Sequence, residues 1–184
     1  DALVFLQGQF TQELRESVAP PVAYGLWLNQ RGKVLADSVV LRLGPQEVWL
    51  FSQASSAKVI RERLEAYIIA DDVVIEDFTA SWSGRVLVGD EATAWLGAQI
   101  GGPLPERGGF RRVGGGFVFK GRRGGGETWE WLSPDPFPVA GGLQELTEAD
   151  MERLRIAAGI PLVPVDIGPG ELPNEGGLEA VAVS

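Results

Sequence analysis

Leu3, Leu6, Phe10 and Leu14 recur at spacings of three and four, the period of an amphipathic helix, and predict one over 2–18. Asp1 stands where a cap would stand, and Pro20-Pro21 ends the element because proline brings no amide hydrogen. Residues 22–28 and 33–43 are β-rich, and Asn29-Gln30-Arg31-Gly32 between them reads as a hairpin turn. Gly44-Pro45 makes the next turn, before a strand over 47–52. Ser55 and Ser56 offer caps for a second helix, on which Val59, Ile60, Leu64 and Tyr67 make one face.

Further along, Val73-Val74-Ile75 predicts the start of a strand, and Arg85-Val86-Leu87-Val88 another. Asp90 caps a short helix running to about residue 99. Two or three strands then alternate with glycine turns, at 110–113, 117–121 and 128–132. Thr147 caps a helix over 148–158, with Asp150 three positions on, close to a capping box. Gly159 and Pro161 end it, and 161–184 reads as Gly/Pro-rich loop. Helices and antiparallel hairpins mix without βαβ alternation, so the class is α+β. The helix–hairpin–strand–helix order of 1–69 returns more loosely over 90–158. That order predicts two related, interlocked halves, about 1–77 and 78–160.

Composition narrows the chemistry. The 184 residues contain no Cys and no His. Disulfides, thiolate metal sites and Ser-His-Asp or Cys-His catalysis are therefore absent from this chain. No apolar run approaches the roughly 20 residues of a membrane-spanning helix. Sixteen Lys and Arg against 25 Asp and Glu give a net charge of −9, which argues against a broad nucleic-acid surface. The charge is unevenly spread: Arg107, Arg111, Arg112, Lys120, Arg122 and Arg123 fall together with no acid among them, leaving −15 on the rest. No Lys or Arg follows Arg155. The pattern is one local anion site on an acidic protein.

The Gly-rich basic segment 108–127 admits three readings. Its arginines with Phe110, Phe117 and Phe119 could stack on and neutralise an anionic aromatic ligand. It superficially resembles RGG-type RNA segments. It could equally be hairpin turns with solvated arginines. None of its glycines fits a dinucleotide or P-loop spacing. Asp71-Asp72 and Glu76-Asp77 read as solubilising strand ends, since neighbours on a strand face opposite ways. No EF-hand spacing occurs, and no residue is nominated as a metal ligand. Trp129 and Trp131 share one strand face beside the basic loop and are the indoles best placed to serve as a ligand platform.

Four segments, taken in order, resemble the YgfZ-type folate-binding proteins, relatives of the glycine-cleavage T-protein. Asp1-Ala2 with Phe5-Leu6-Gln7-Gly8-Gln9-Phe10-Thr11 is similar to that family's first helix and turn. Leu28-Asn29-Gln30-Arg31-Gly32-Lys33-Val34-Leu35-Ala36-Asp37 resembles its hairpin. Leu64-Glu65-Ala66-Tyr67 with Asp72-Val73-Val74-Ile75-Glu76-Asp77 resembles a step particular to the YgfZ branch. Arg155 through Gly159 and Pro161, followed by Pro173 and Glu175, resembles a later Arg-x-x-x-Gly-x-Pro and Pro-x-Glu pair. The family's Lys-Gly-Cys motif and C-terminal β-barrel would follow Ser184, so the resemblance implies a fragment.

The resemblance implies a folate-binding fold of two interlocked halves around a central cavity. It implies a tetrahydrofolate-binding accessory protein for iron–sulfur cluster assembly or repair and linked tRNA modification. Such a protein would be cytoplasmic and monomeric, and its partners would be iron–sulfur assembly or client proteins. The alternative is a folate-dependent aminomethyl transferase. The T-protein's catalytic Asp follows an Asn-Ala-x-Asn turn; here the turn is Gln53-Ala54-Ser55-Ser56, and the acidic position falls near Ile60, so no catalytic residue is nominated. The T-protein's folate-contacting segment aligns near Gly126-Glu127-Thr128-Trp129-Glu130. Folate contacts are expected from Gln53, Arg122, Glu127 and Arg155: amide and carboxylate for the pterin edge, cations for the glutamate tail.

Overall fold

The computed structural model describes residues 2–184, so the expected cap at Asp1 lies outside the described residues. Helices and antiparallel sheets are mixed, in two compact units. The first comprises Asp1–Asp77 and Pro161–Ser184, the second Phe78–Ile160.

In the first unit, α1 spans only Ala2–Gln7 rather than 2–18. The chain turns at Gly8, and Phe10 bridges antiparallel to Trp27, their rings 4.8 Å apart. The Gln7 side chain accepts the Leu14 amide at 2.7 Å, replacing a helical bond. Leu3, Leu6, Phe10 and Leu14 are all buried nonetheless. Their spacing recorded burial, which a short helix and a folded-back segment satisfy as well as a long helix.

Strands β1 (Val22–Leu28), β2 (Val34–Arg42) and β3 (Val48–Phe51) form an antiparallel sheet with β2 central. In the β1–β2 turn, Asn29 Oδ1 receives the Arg31 and Lys33 amides, and Gly32 adopts φ 73°. Helix α2 (Ala57–Glu65) packs Ile60 and Leu64 into the core with Trp27 and Val40. Val59 is exposed, off the face assigned to it. Residues 73–75 form no strand: Val73 and Ile75 pack against the core and Val74 points to solvent, an alternation with no partner ladder.

Residues 161–184 are more ordered than a loop. They carry a 3-10 turn, Pro173–Gly176, and α5, Glu179–Ala182. Val163, Ile167, Leu178 and Ala182 share a core cluster with Leu26 and Val34. The Val34 amide donates to the Glu171 carbonyl at 2.9 Å, and the Ser184 amide to Thr11 at 3.1 Å. Apolar residues spaced among glycines and prolines are enough to dock this tail without a long element.

In the second unit, β4 (Ser83–Val88), β5 (Phe110–Val113), β6 (Gly116–Lys120) and β7 (Thr128–Ser133) make an antiparallel sheet ordered β4-β7-β6-β5. Helix α3 (Asp90–Ile100) follows β4, and Gly101 in the left-handed region ends it. Its Ala92, Leu96 and Ile100 pack with Leu87, Val118, Trp129 and Trp131. Helix α4 (Glu148–Ala157) opens with a complete capping box between Thr147 and Asp150.

Candidate functional site

Pairing register decides which side chains meet in the second sheet. Glu130 on β7 lies between Val86 on β4 and Phe119 on β6. Directly opposite residues share a face, so Glu130 stands with Val86, Phe119, Phe117, Thr128 and Leu132. Trp129, Trp131, Val118 and Leu87 occupy the other face, beneath α3. Trp129 donates its indole N–H to Thr93 Oγ1 at 3.0 Å, and Trp131 packs tilted against Trp95 and edge-on against Phe137. Both indoles are core residues, not the ligand platform that their strand position suggested.

Both faces of β7 are buried, and Glu130 is only 2% exposed. Arg123 Nε meets Glu130 Oε1 at 2.8 Å. Glu130 Oε2 is buried and has no hydrogen-bond partner. Burial pushes the Glu130 carboxyl from its ordinary 4.5 up to about 7, against the opposing pull of the Arg123 charge and hydrogen bond. A side chain at Gly121 would stand 2.8 Å from Glu130 Cγ and 2.9 Å from Oε1, so glycine leaves the carboxylate its room. A buried carboxylate with one free oxygen is costly unless something pairs with it. Carboxylate oxygens offer about four lone-pair sites between them, so Oε2 and the rest of Oε1 can receive a two-donor N–H edge.

The basic segment is a hairpin whose cations are largely engaged. Arg111 donates to the Pro103 carbonyl at 3.0 Å, Arg112 lies 5.7 Å from the Phe117 ring, and Arg123 pairs with Glu130. Phe119 and Phe117 are buried, with Phe117 stacked on Trp82 at 5.7 Å. Phe117 and Phe119 are core, Phe110 is half-buried, and Arg112 stays exposed on the hairpin.

The four expected folate contacts fall in both units. Gln53 is exposed, just after β3 in the first unit. Arg122 and Glu127 lie in the β6–β7 turn of the second unit. Glu127 receives Lys120 Nζ at 2.7 Å and lines an open cleft of about 430 Å³ with Val88, Gly89, Leu154 and Ala157. Arg155 is buried on α4, where its Nε meets Glu152 Oε2 at 2.9 Å and its Nη1 meets the Ile160 carbonyl at 2.7 Å. It clamps the end of its own helix. Glu130, three residues beyond Glu127, ends the segment that aligns with the T-protein's folate contact but was not among the expected contacts. The available signal was β6: Phe117-Val118-Phe119 is apolar at every position, so the sheet beside it is buried on both faces.

A family model described as the GCVT N-terminal domain matches residues 1–102. No curated protein matches the chain. Among solved structures, the glycine cleavage system aminomethyltransferase T from Bartonella henselae is similar, with TM-score 0.79 and 21% identity. That match covers 98% of this chain and 52% of the other, so the chain spans about half the length of that relative. At this identity the likeness concerns the fold.

Proposed function

The chain belongs to the GCVT N-terminal domain family, and from that premise we propose that it binds a reduced folate, with Glu130 receiving the pterin ring. The single observation behind this reading is the buried Glu130 carboxylate, held through one oxygen by Arg123 and buried without a hydrogen-bond partner at the other. A pterin presents adjacent N–H donors on a flat edge. A carboxylate removed from water binds such an edge strongly, because no solvent competes for either partner. When bound, the folate would supply the one-carbon-carrying nitrogens; this chain's part is to bind and orient the ring.

In the same unit, Arg122 and Glu127 are the further proposed contacts, and Arg155 supports them. Arg122 supplies charge for the glutamate tail. Glu127, whose partner is Lys120, borders the tail's path. Arg155 contributes by fixing the end of α4 beside the Glu127 cleft.

Within the family, the reading extends to the YgfZ branch and to a fragment of a longer protein: a cytoplasmic, monomeric accessory factor for iron–sulfur assembly or repair and linked tRNA modification. Its partners are assembly or client proteins. The alternative, aminomethyl transfer, needs a carboxylate to hold the reacting amine. The position where the resemblance expects that acid is Ile60, a buried core residue 6% exposed. That observation favours binding without turnover.

Calorimetry with tetrahydrofolate tests binding, and an assay for methylene-tetrahydrofolate from an aminomethyl-bearing carrier tests transfer. Saturable micromolar binding with no turnover is expected. No binding at high micromolar folate overturns the reading. Turnover on the order of 1 s⁻¹ would make the chain an enzyme.

A further inference from the structure

Glu130 owes its arrangement to a residue outside the strand that carries it. Arg123 sits in the turn between β6 and β7, in the basic run, and only 17% of its side chain is exposed. Its Nε reaches Oε1, not Oε2, so the pairing consumes one carboxylate oxygen and leaves the buried one. Gly121, two residues earlier, leaves the space in which the carboxylate lies. A single turn thus furnishes both the cation and the gap.

We propose that Arg123 is a positioning residue: it holds Glu130 through Oε1 so that Oε2 faces the ligand's N–H edge, and it couples binding to loss of the Glu130 proton. The identity of the ligand rests on the folate reading; the coupling between Arg123 and Glu130 does not. The groups that share Glu130's face leave Arg123 as its closest charge. Val86 on β4, Phe117 and Phe119 on β6, and Thr128 and Leu132 on β7 carry none. Arg112 on β5 shares the face but stands opposite Phe117, one strand further away. Lys120 lies across from Trp129 on the other face and bonds Glu127.

Burial favours the protonated acid and Arg123 the carboxylate, and the balance falls near neutral pH. A ligand that donates N–H groups needs the carboxylate. Binding at pH 7 should therefore release a fraction of a proton, and affinity should rise with pH through neutrality.

The test uses the whole chain with 13C-labelled glutamate carboxyls, the Glu130 signal being the one absent from Glu130→Gln. The wild-type signal should titrate near pH 7. Arg123→Gln should move that midpoint up by at least one unit, and Arg123→Lys, which keeps a charge but not the Nε contact, by less. Tetrahydrofolate should bind Arg123→Gln at least tenfold more weakly at pH 7, with most of the loss recovered at pH 9. A merely structural role would not give a loss that pH restores. An unmoved midpoint in both variants overturns the proposal, as does an unmoved midpoint in Arg123→Lys should Arg123→Gln not fold. A binding loss that persists at pH 9 also overturns it. A shifted midpoint in a chain that binds no tetrahydrofolate supports the pairing of Arg123 with Glu130 and overturns the folate reading instead.

Discussion

Each sheet carries an acid on an inner strand, and the two acids are treated in opposite ways. Asp37 on β2 is enclosed by its own neighbours: Ser55 Oγ donates to Oδ1 at 2.6 Å and Tyr24 Oη to Oδ2 at 3.0 Å. Ser55 Oγ in turn accepts the Asp37 amide at 2.9 Å and lies 3.2 Å from the Val163 carbonyl. Both oxygens of Asp37 serve the fold, fastening the turn before α2 to the central strand. Glu130 is more deeply buried and less well served, with one arginine at Oε1 and nothing at Oε2. Folding alone does not reward such an arrangement, because an unpaired buried acceptor costs about 1–3 kcal/mol. The saturated acid serves the fold; the buried, unpaired acid is the one that the folate reading assigns to a ligand.

Replacing the saturated acid should have the largest effect on stability. Asp37→Ala leaves Tyr24 without its acceptor and Ser55 with only the longer contact to the Val163 carbonyl, and should cost about 2–4 kcal/mol in denaturant unfolding. Ser55→Ala should cost less, since Tyr24 still pairs with Asp37. A loss below about 1 kcal/mol for Asp37→Ala would remove the contrast.

The open acid should show itself in the pH dependence of stability. Folded Glu130 releases its proton near 7, whereas the unfolded group does so near its ordinary 4.5. Between these values the folded state holds the extra proton, so stability falls as pH rises, and the loss is complete above about pH 8. A difference of this size amounts to roughly 3 kcal/mol at most. Glu130→Gln should flatten that slope by about the same amount, whatever offset the substitution adds at every pH. An unchanged slope between pH 5 and 9 contradicts the assignment.

Gly121→Ala sharpens the comparison without touching a charge. The added methyl meets Glu130 at 2.8–2.9 Å and must displace its carboxylate. A cost of about 1–3 kcal/mol is expected, as for overpacking elsewhere, together with weaker folate binding. The smallest effect belongs to a helix cap: Thr147→Ala removes the capping box on α4 and should cost about 1 kcal/mol, with binding unchanged.

Much of the fold was legible in the sequence, because turns and caps are local. Asn29 and Gly32 mark the first hairpin, the triple glycines mark the second sheet's turns, and Thr147 with Asp150 marks α4. Expectation and structure part where distant partners decide. Leu3 to Leu14 kept a helical spacing while only the first turns are helical, since Phe10 was claimed by Trp27. Val73 to Ile75 had strand composition but no edge to pair with. The tail 161–184 lacked periodicity, and docks through Val163, Ile167, Leu178 and Ala182.

The site was less legible than the fold. Arg155 was expected at folate, yet Glu152 stands three positions before it on the same helix, a spacing that itself predicts the pairing observed; only the bond to the Ile160 carbonyl lay outside the local pattern. Glu127 and Glu130 both lie in the segment aligned with the T-protein's folate contact, and alternation alone does not say which of them is buried. The all-apolar neighbouring strand, Phe117-Val118-Phe119, is what marks Glu130 as the buried one.

The most direct test of the contrast sets Glu130→Gln beside Asp37→Asn in one titration with tetrahydrofolate, by calorimetry at pH 8 and at a temperature where both are folded. Glu130→Gln is predicted to bind at least tenfold more weakly than wild type while Asp37→Asn, per folded molecule, binds within twofold of it. Wild-type affinity in Glu130→Gln would contradict the account.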